Sequence, residues 1–462
     1  MAAGDTLTDL DDGFSGQVIR PGDDVYDATR AVFNGMIDRK PAIIARCAGV
    51  ADVRTALAFA REQGMAVAVR GGGHGVAGKA VCDGGLVIDL SMTKGIRVDP
   101  SRRVAQAQGG VTWGELDREA QAFGLAVTGG RVSTTGIAGL TLGGGSGWLE
   151  RKLGLSCDNL LSADVVTADG EFLMASATEH ADLFWGLRGG GGNFGIVTSF
   201  TYQLHPIGPI VYGGMRLYPM DRAEEVVRFY RDFMAAAPDE VGGTAAFITA
   251  PPEPFVPAHL QGQPALGLIL TYAGAGEDGE AALRPMRELG APEVDLVGPI
   301  PYVALQRMLD AASPPGMRNY WRSDTSTELS DEVIAMLVEH CRQPLSPHTQ
   351  VVVVPFGGAI ARTGAHATAV GWREALWYFE AASVWTDAAD DERQIAWTRA
   401  LTDALTPWAT GVPYINAITD EGLGQVQASY GPERYARLVA LKNVYDPGNV
   451  FRLNQNIPPS IG

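Results

Sequence analysis

A chain of 462 residues with 53 acidic against 36 basic side chains has a net charge of −17, which repels phosphate backbones and anionic lipid and makes nucleic acid and membrane poor partners. With 46% hydrophobic and 19% charged residues it has the composition of a folded globular protein, and its length exceeds what one hydrophobic core usually holds, so at least two domains are expected. Residues 1–12 are acidic and lack the apolar core of a secretory signal, no apolar stretch is long enough to span a bilayer, and Cys47, Cys82, Cys157 and Cys341 have neither a C-x-x-C pair nor a metal-type spacing with histidine. A soluble monomer or homodimer in a reducing cytoplasm, without a metal site, is the expectation.

In chain order, residues 51–64 place Val53, Leu57 and Ala60 at helical spacing, and the apolar run 65–69 after them predicts a buried strand. That strand ends in Arg70-Gly71-Gly72-Gly73-His74. Residues 85–90 and 103–107 read as strands, and Thr112-Trp113-Gly114-Glu115 matches a capping box that opens a helix. The runs 165–167 and 172–174 flank an Asp-Gly turn and predict a hairpin. Residues 181–187 read as a short helix and 196–204 as a strand. From about residue 206 the glycine runs stop, and strands at 245–249, 266–272, 350–356 and 376–384 alternate with amphipathic segments. Residues 391–405 predict a helix with Trp397, Leu401, Ala404 and Leu405 on one face. The end carries a turn at Pro447-Gly448 and the polar run Asn454-Gln455-Asn456. Helices and strands are mixed without regular βαβ alternation, so the fold class is α+β.

The 58 glycines cluster at 71–73, 143–145 and 189–192, against a usual share of roughly 7%. Three glycines after a buried strand let backbone approach a ligand closely, and their N–H groups suit a pyrophosphate. Neither a Walker lysine nor the G-x-G-x-x-G spacing is present. Alone, the triplet reads equally well as a tight turn, and His74 as a histidine capping a carbonyl.

The ordered set Arg70-Gly-Gly-Gly-His74, Gly85 to Asp89, Gly109-Gly110, Gly143-Gly-Gly-Ser-Gly147, Arg151 to Leu155 with Asp158-Asn159, Phe184-Trp185 with Arg188 to Gly192, Asn193-Phe194-Gly195 and Asn454-Gln455-Asn456 decides otherwise. From about residue 34 to 457 the chain resembles the FAD-linked oxidases of the berberine bridge enzyme-like group, bacterial in type, within the vanillyl-alcohol-oxidase family with its PCMH-type FAD-binding domain. The resemblance implies a two-part FAD-binding domain of small sheets and helices over 1–206, a substrate domain with a large antiparallel sheet backed by helices over 207–410, and a segment 411–462 that returns to the first. It further implies a covalent bond from His74 to the flavin 8α-methyl carbon. Many relatives add a cysteine bond to the flavin. In the segment 132–139 that resembles its carrier, Gly136 stands where the cysteine is expected, so attachment through His74 alone is predicted.

By the same resemblance Arg70, Gly71, Gly72, Gly73 and Gly75 hold the pyrophosphate, and Ser133, Thr134, Gly139, Gly143 and Gly144 line the flavin or its ribityl chain. Ile196 and Val197 meet the adenosine, and Asn454 and Gln455 the pyrimidine edge. Many of these glycines read equally well as packing residues. Dehydrogenating an alcohol or amine requires a group to take the substrate proton. The resemblance places that base at Ala417, which has no acid–base group, and leaves Tyr414, Asn416, Tyr320 and Tyr378 as candidates. Trp377, Tyr378, Phe379, Trp385 and Trp397 are expected to wall a pocket for a small ring-bearing substrate. Oxidation of an alcohol or amine, or oxidative cyclisation, with O2 as acceptor is the leading expectation. A dehydrogenase, an oxygenase, or a flavin-retaining protein without catalysis are the alternatives.

Overall fold

The computed structural model describes Leu10 and residues 13–460; the acidic start read above, Leu10 apart, lies outside the described residues. Near the N-terminus, three short parallel strands, Ile43–Arg46, Leu86–Asp89 and Val67–Arg70, form a sheet that Gln17–Ile19 extends antiparallel. Their side chains are apolar on both faces, which parallel strands require when each face is covered. Ile43, Ala45, Val67, Leu86 and Ile88 pack under Val53, Leu57 and Ala60 of the helix Val50–Glu62. Ile44, Ala68 and Val87 face Tyr26, Val32 and Val81 on the other side.

A second, five-stranded antiparallel sheet follows, in the order Ile96–Asp99, Val104–Gln108, Ile196–Gln203, Leu160–Val166, Phe172–Ser176. The predicted capping box opens the helix Trp113–Gln121, with the Glu115 carboxylate accepting from the Thr112 N–H at 2.9 Å.

The third sheet has eight strands, all antiparallel. Ile210–Pro219, Pro264–Tyr272, Val241–Thr249, Gln350–Pro355, Trp377–Trp385 and Arg318–Ser326 lie in that order, with the short Val294–Asp295 and Gly298–Pro301 beside the first. Strand alternation gives this sheet two chemically different faces. Ala245, Phe247, Val351, Val353, Trp377, Phe379 and Ala381 pack in one core with the helices Ala223–Ala236, Asp331–Cys341 and Asp391–Leu405. The residues between them point the other way, toward the two smaller sheets. This mixed architecture, with a large antiparallel sheet backed by helices, is the expected α+β class.

The helix Asp391–Leu405 has the predicted bounds, but its inward face is Gln394, Thr398, Leu401 and Leu405, while Ala404 is exposed. Thr398 is buried because its hydroxyl donates to Ser383 Oγ at 2.6 Å. Two helical segments within Leu423–Tyr445, broken at Gly431 (φ +71°) before Pro432, return the chain to the N-terminal part. There Lys442 Nζ, fully buried, donates to Asp446 Oδ2 at 2.7 Å and to the carbonyls of Asn193 and Phe451. Asp446 in turn accepts from the N–H groups of Val450 and Phe451. One buried ion pair thus fixes the closing Asn454-Gln455 segment against the 190–195 loop. No helix among the described residues is long and apolar enough to cross a membrane, and no cluster of potential metal ligands occurs among them.

Candidate active site

A cavity of about 440 Å³ lies between the small sheets and the inward face of the large sheet. One wall is backbone. After the strand Val67–Arg70 the chain runs through Gly71, Gly72 and Gly73 in close contact with the 132–139 loop. A Cβ on Gly72 would come within 2.5 Å of the Gly136 nitrogen, and one on Gly136 equally close to the Gly72 nitrogen. Gly73 has a φ of +67°, which favours glycine. His74 follows, stacked on Phe33 with ring centroids 3.9 Å apart. Its Nε2 is shut off from solvent and has no hydrogen-bond partner, and burial pushes its pKa down to about 4, so the imidazole is neutral at physiological pH. Gly71 to Gly75, Gly136, Gly139, Ile196, Val197, Asn454 and Gln455 all line the cavity. Asn454 Nδ2 donates to the carbonyls of Phe451 and Gly192, which leaves its Oδ1 unpartnered.

Arg70, Ser133, Thr134, Gly143 and Gly144 do not line it. Arg70 donates to the Thr29 carbonyl. Ser133 is taken by Asp310, which accepts from its N–H at 2.8 Å and its hydroxyl at 2.6 Å. Thr134 is exposed. Gly143 and Gly144 are packing glycines: a Cβ on the first would meet the Asn416 amide at 2.1 Å, and the second, at φ +117°, is buried beside Val370 and Tyr414.

The opposite wall is made of side chains from alternate positions of the large sheet: Thr244, then Gln350, Val352 and Val354, then Tyr378, Glu380, Ala382 and Val384, then Asn319 and Trp321. The register pairs Val354 with Tyr378, Val352 with Glu380 and Trp321 with Ala382, so these side chains share one face. Alternation sorts the predicted catalytic residues. Tyr378 is on the cavity face. Tyr320, one residue from Trp321, is on the helix face, where its hydroxyl donates to Glu421 and accepts from Arg399 Nε at 2.8 Å. It is excluded from the cavity lining, as are Trp377, Phe379, Trp385 and Trp397; the aromatic lining is instead Phe33, Trp321, Tyr378, Tyr414 and Phe451.

Tyr414 and Asn416 line the cavity with Ala417 between the two walls. The Tyr414 oxygen accepts from the N–H groups of Gly145 at 3.0 Å and Ser146 at 3.2 Å and from Asn416 Nδ2 at 3.0 Å. Desolvation nonetheless raises its pKa to about 12. Its ring meets that of Tyr378 edge-on at 5.9 Å. Tyr378 donates its hydroxyl to Glu380 Oε2, and burial raises the pKa of both groups. The sequence reading did not name Glu380; a single charged residue inside the apolar strand Trp377–Trp385 is the signal that marks it. Arg131, also missed, lines the cavity and is bound to Glu150 at 2.6 Å and to Ser146 Oγ at 2.8 Å.

Comparison with known proteins agrees with this geometry. Residues 41–176 match the FAD binding domain family and 414–458 the family described as berberine and berberine like. An FAD-linked oxidoreductase of Dictyostelium discoideum is 30% identical over 97% of this chain and 96% of its own. The chain therefore belongs to the berberine-like FAD-linked oxidoreductases. The (R)-6-hydroxynicotine oxidase of Paenarthrobacter nicotinovorans is 31% identical over 96% of this chain and 97% of its own. The crystal structure of 6-hydroxy-D-nicotine oxidase from Arthrobacter nicotinovorans superposes with a TM-score of 0.87 at 29% identity, covering 97% of this chain and 99% of that one. As a berberine-like family member the chain is an FAD-dependent oxidoreductase, and the cavity fits that cofactor: a backbone cradle that side chains would fill, lined by His74 and Asn454, whose Nε2 and Oδ1 are buried without a hydrogen-bond partner.

Proposed function

We propose that this enzyme is an oxidase that holds FAD through a single covalent bond from His74, removes two electrons from a small ring-bearing alcohol or amine, and passes them to O2. The observation that carries the reading is the neutral imidazole of His74, its Nε2 unpartnered at the edge of the glycine cradle. A free lone pair on a neutral ring is what a nucleophile needs. No cysteine lines the cavity, and all four described cysteines are buried elsewhere. Gly136 has no room for a side chain, and the neighbouring cavity-lining residues Val132, Thr135 and Ala138 carry no sulfur. Attachment through His74 alone follows.

In this reading residues 1–206 and 411–462 hold the cofactor and 207–410 supply the substrate wall. Gly71 to Gly75, Gly136, Gly139, Ile196, Val197, Asn454 and Gln455 contact the FAD. When bound, the flavin accepts a hydride equivalent from the substrate carbon. The Tyr378–Glu380 pair takes up the substrate proton, with Glu380 as the acceptor and Tyr378 holding it in place through its donated hydroxyl. Tyr414 and Asn416 position substrate or flavin by hydrogen bonding. The family's oxidase members support O2 as acceptor. Photoreduced enzyme mixed with aerated buffer in a stopped-flow cell is expected to regain its oxidised spectrum within seconds and release hydrogen peroxide. A spectrum that stays reduced for many minutes would contradict an oxidase.

A further inference from the structure

We propose that the substrate is a cationic amine whose ammonium group docks on Glu380, and that Glu380 both sets this preference and accepts the ammonium proton. The inference rests on the reading of the cavity as the flavin site. Glu380 is the one carboxylate among the described residues that line the cavity. A carboxylate taken out of water costs several kcal/mol unless a cation or a full set of donors compensates it. Here a single donor, the Tyr378 hydroxyl, reaches Oε2, and among the described residues Glu380 has no ion-pair partner.

The two cations that line the same cavity are engaged elsewhere: Arg131 with Glu150 at 2.6 Å, Lys79 with Asp420. The charge of Arg131 reaches Glu380 through space and partly offsets its burial, but among the described residues no cation makes direct contact with this buried acid. Burial raises the Glu380 pKa accordingly. Around it the lining is apolar and aromatic: Val352 opposite on the next strand, and Trp321 one step along the same face on the other. An acid beside an aromatic face attracts a ligand cation by ion pairing and by the ring quadrupole together. A neutral alcohol or sugar supplies no such charge.

The chemistry closes with this assignment. An ammonium ion cannot release hydride from its α-carbon, because its nitrogen lone pair is tied up in an N–H bond. Transfer of that proton to the Glu380 carboxylate frees the lone pair and neutralises the acid. With FAD bound as oxidant, the freed lone pair would form the C=N bond of an iminium product as the α-C–H electron pair leaves as hydride. Water hydrolyses the iminium to a carbonyl compound and an amine, and O2 takes up the two electrons.

The test uses holoenzyme and two ligands of equal shape that lack an α-hydrogen and so do not turn over, 2-phenylpropan-2-amine and 2-phenylpropan-2-ol, titrated by calorimetry at pH 8. The amine is expected to bind about tenfold or more tighter than the alcohol, the usual worth of a charge-assisted contact. Glu380→Gln should abolish the preference while leaving alcohol binding within about twofold. Equal affinity for the two ligands, no measurable amine binding, or a preference that persists in Glu380→Gln would overturn the proposal. Flavin retained on the acid-precipitated protein separates the outcomes: with flavin present and no amine preference, only the assignment of Glu380 fails, whereas a protein without flavin removes the reading beneath it.

Discussion

The two walls of the cavity are built by opposite means. The cradle from Gly71 to Gly75 works by leaving side chains out: backbone of the 71–75 loop lies against backbone of the 132–139 loop, with no room between Gly72 and Gly136 for a Cβ. The inward face of the large sheet works by side chains alone, and which residue does chemistry depends on the parity of its position in a strand. A common cofactor is suited to the first kind of wall, because its phosphates and rings ask the same of every relative. A particular substrate needs the second, where one substitution alters charge or shape without disturbing the frame.

The sharpest way to break this comparison is to place a side chain in the cradle. Gly72→Val drives atoms into the Gly136 backbone, and is expected to abolish flavin incorporation and to cost about 1–3 kcal/mol or more of stability. A yellow, fully loaded Gly72→Val protein by absorbance and thermal melt would show that the cradle is not where the cofactor sits. On the other wall, Tyr378→Phe should retain full flavin content and, by releasing Glu380, lose on the order of 100-fold in kcat/KM, the usual size of one proton-transfer group. An unchanged kcat/KM would remove Tyr378 from the chemistry.

The seam between the walls gives a smaller effect. Asp117 is buried on the helix Trp113–Gln121 and accepts from Gln306 Nε2 at 2.9 Å across the interface. Desolvation raises its pKa to about 7 from 3.8. The folded state therefore holds a proton that the unfolded state has released between these values, and stability falls as pH rises through that window. Asp117→Asn removes the penalty, so it should gain on the order of 2 kcal/mol at pH 8 and nothing at pH 4. A melting temperature shift that is the same at both pH values would refute this. Smallest of all, Tyr320→Phe should leave kcat/KM within about twofold, since its hydroxyl serves Glu421 and Arg399 on the helix side.

The same contrast explains what the sequence made legible. Glycine runs and the histidine after them announce the cradle directly, and eleven of the sixteen expected cofactor positions line the cavity. Of the five that do not, Thr134 is exposed and the other four are held by residues distant in the chain: Ser133 is claimed by Asp310, and Gly143 packs on Asn416. The sheet face was harder to read. In Trp377–Trp385 both faces are apolar, so aromatic residues on the helix side looked equivalent to those in the cavity. Alternation separates Tyr378 from Trp377 and Phe379 only once the register with Gln350–Pro355 is known. Arg318–Ser326 mixes polar and aromatic residues on both faces, which hid the strand itself and with it the difference between Trp321 and Tyr320.

The central claim is that His74 binds the flavin covalently and alone. Purified protein precipitated with acid and washed tests it most directly. The pellet of the natural enzyme should stay yellow and that of His74→Ala should lose its colour entirely to the supernatant. A colourless pellet from the natural enzyme, or an equally yellow one from His74→Ala, would contradict the account.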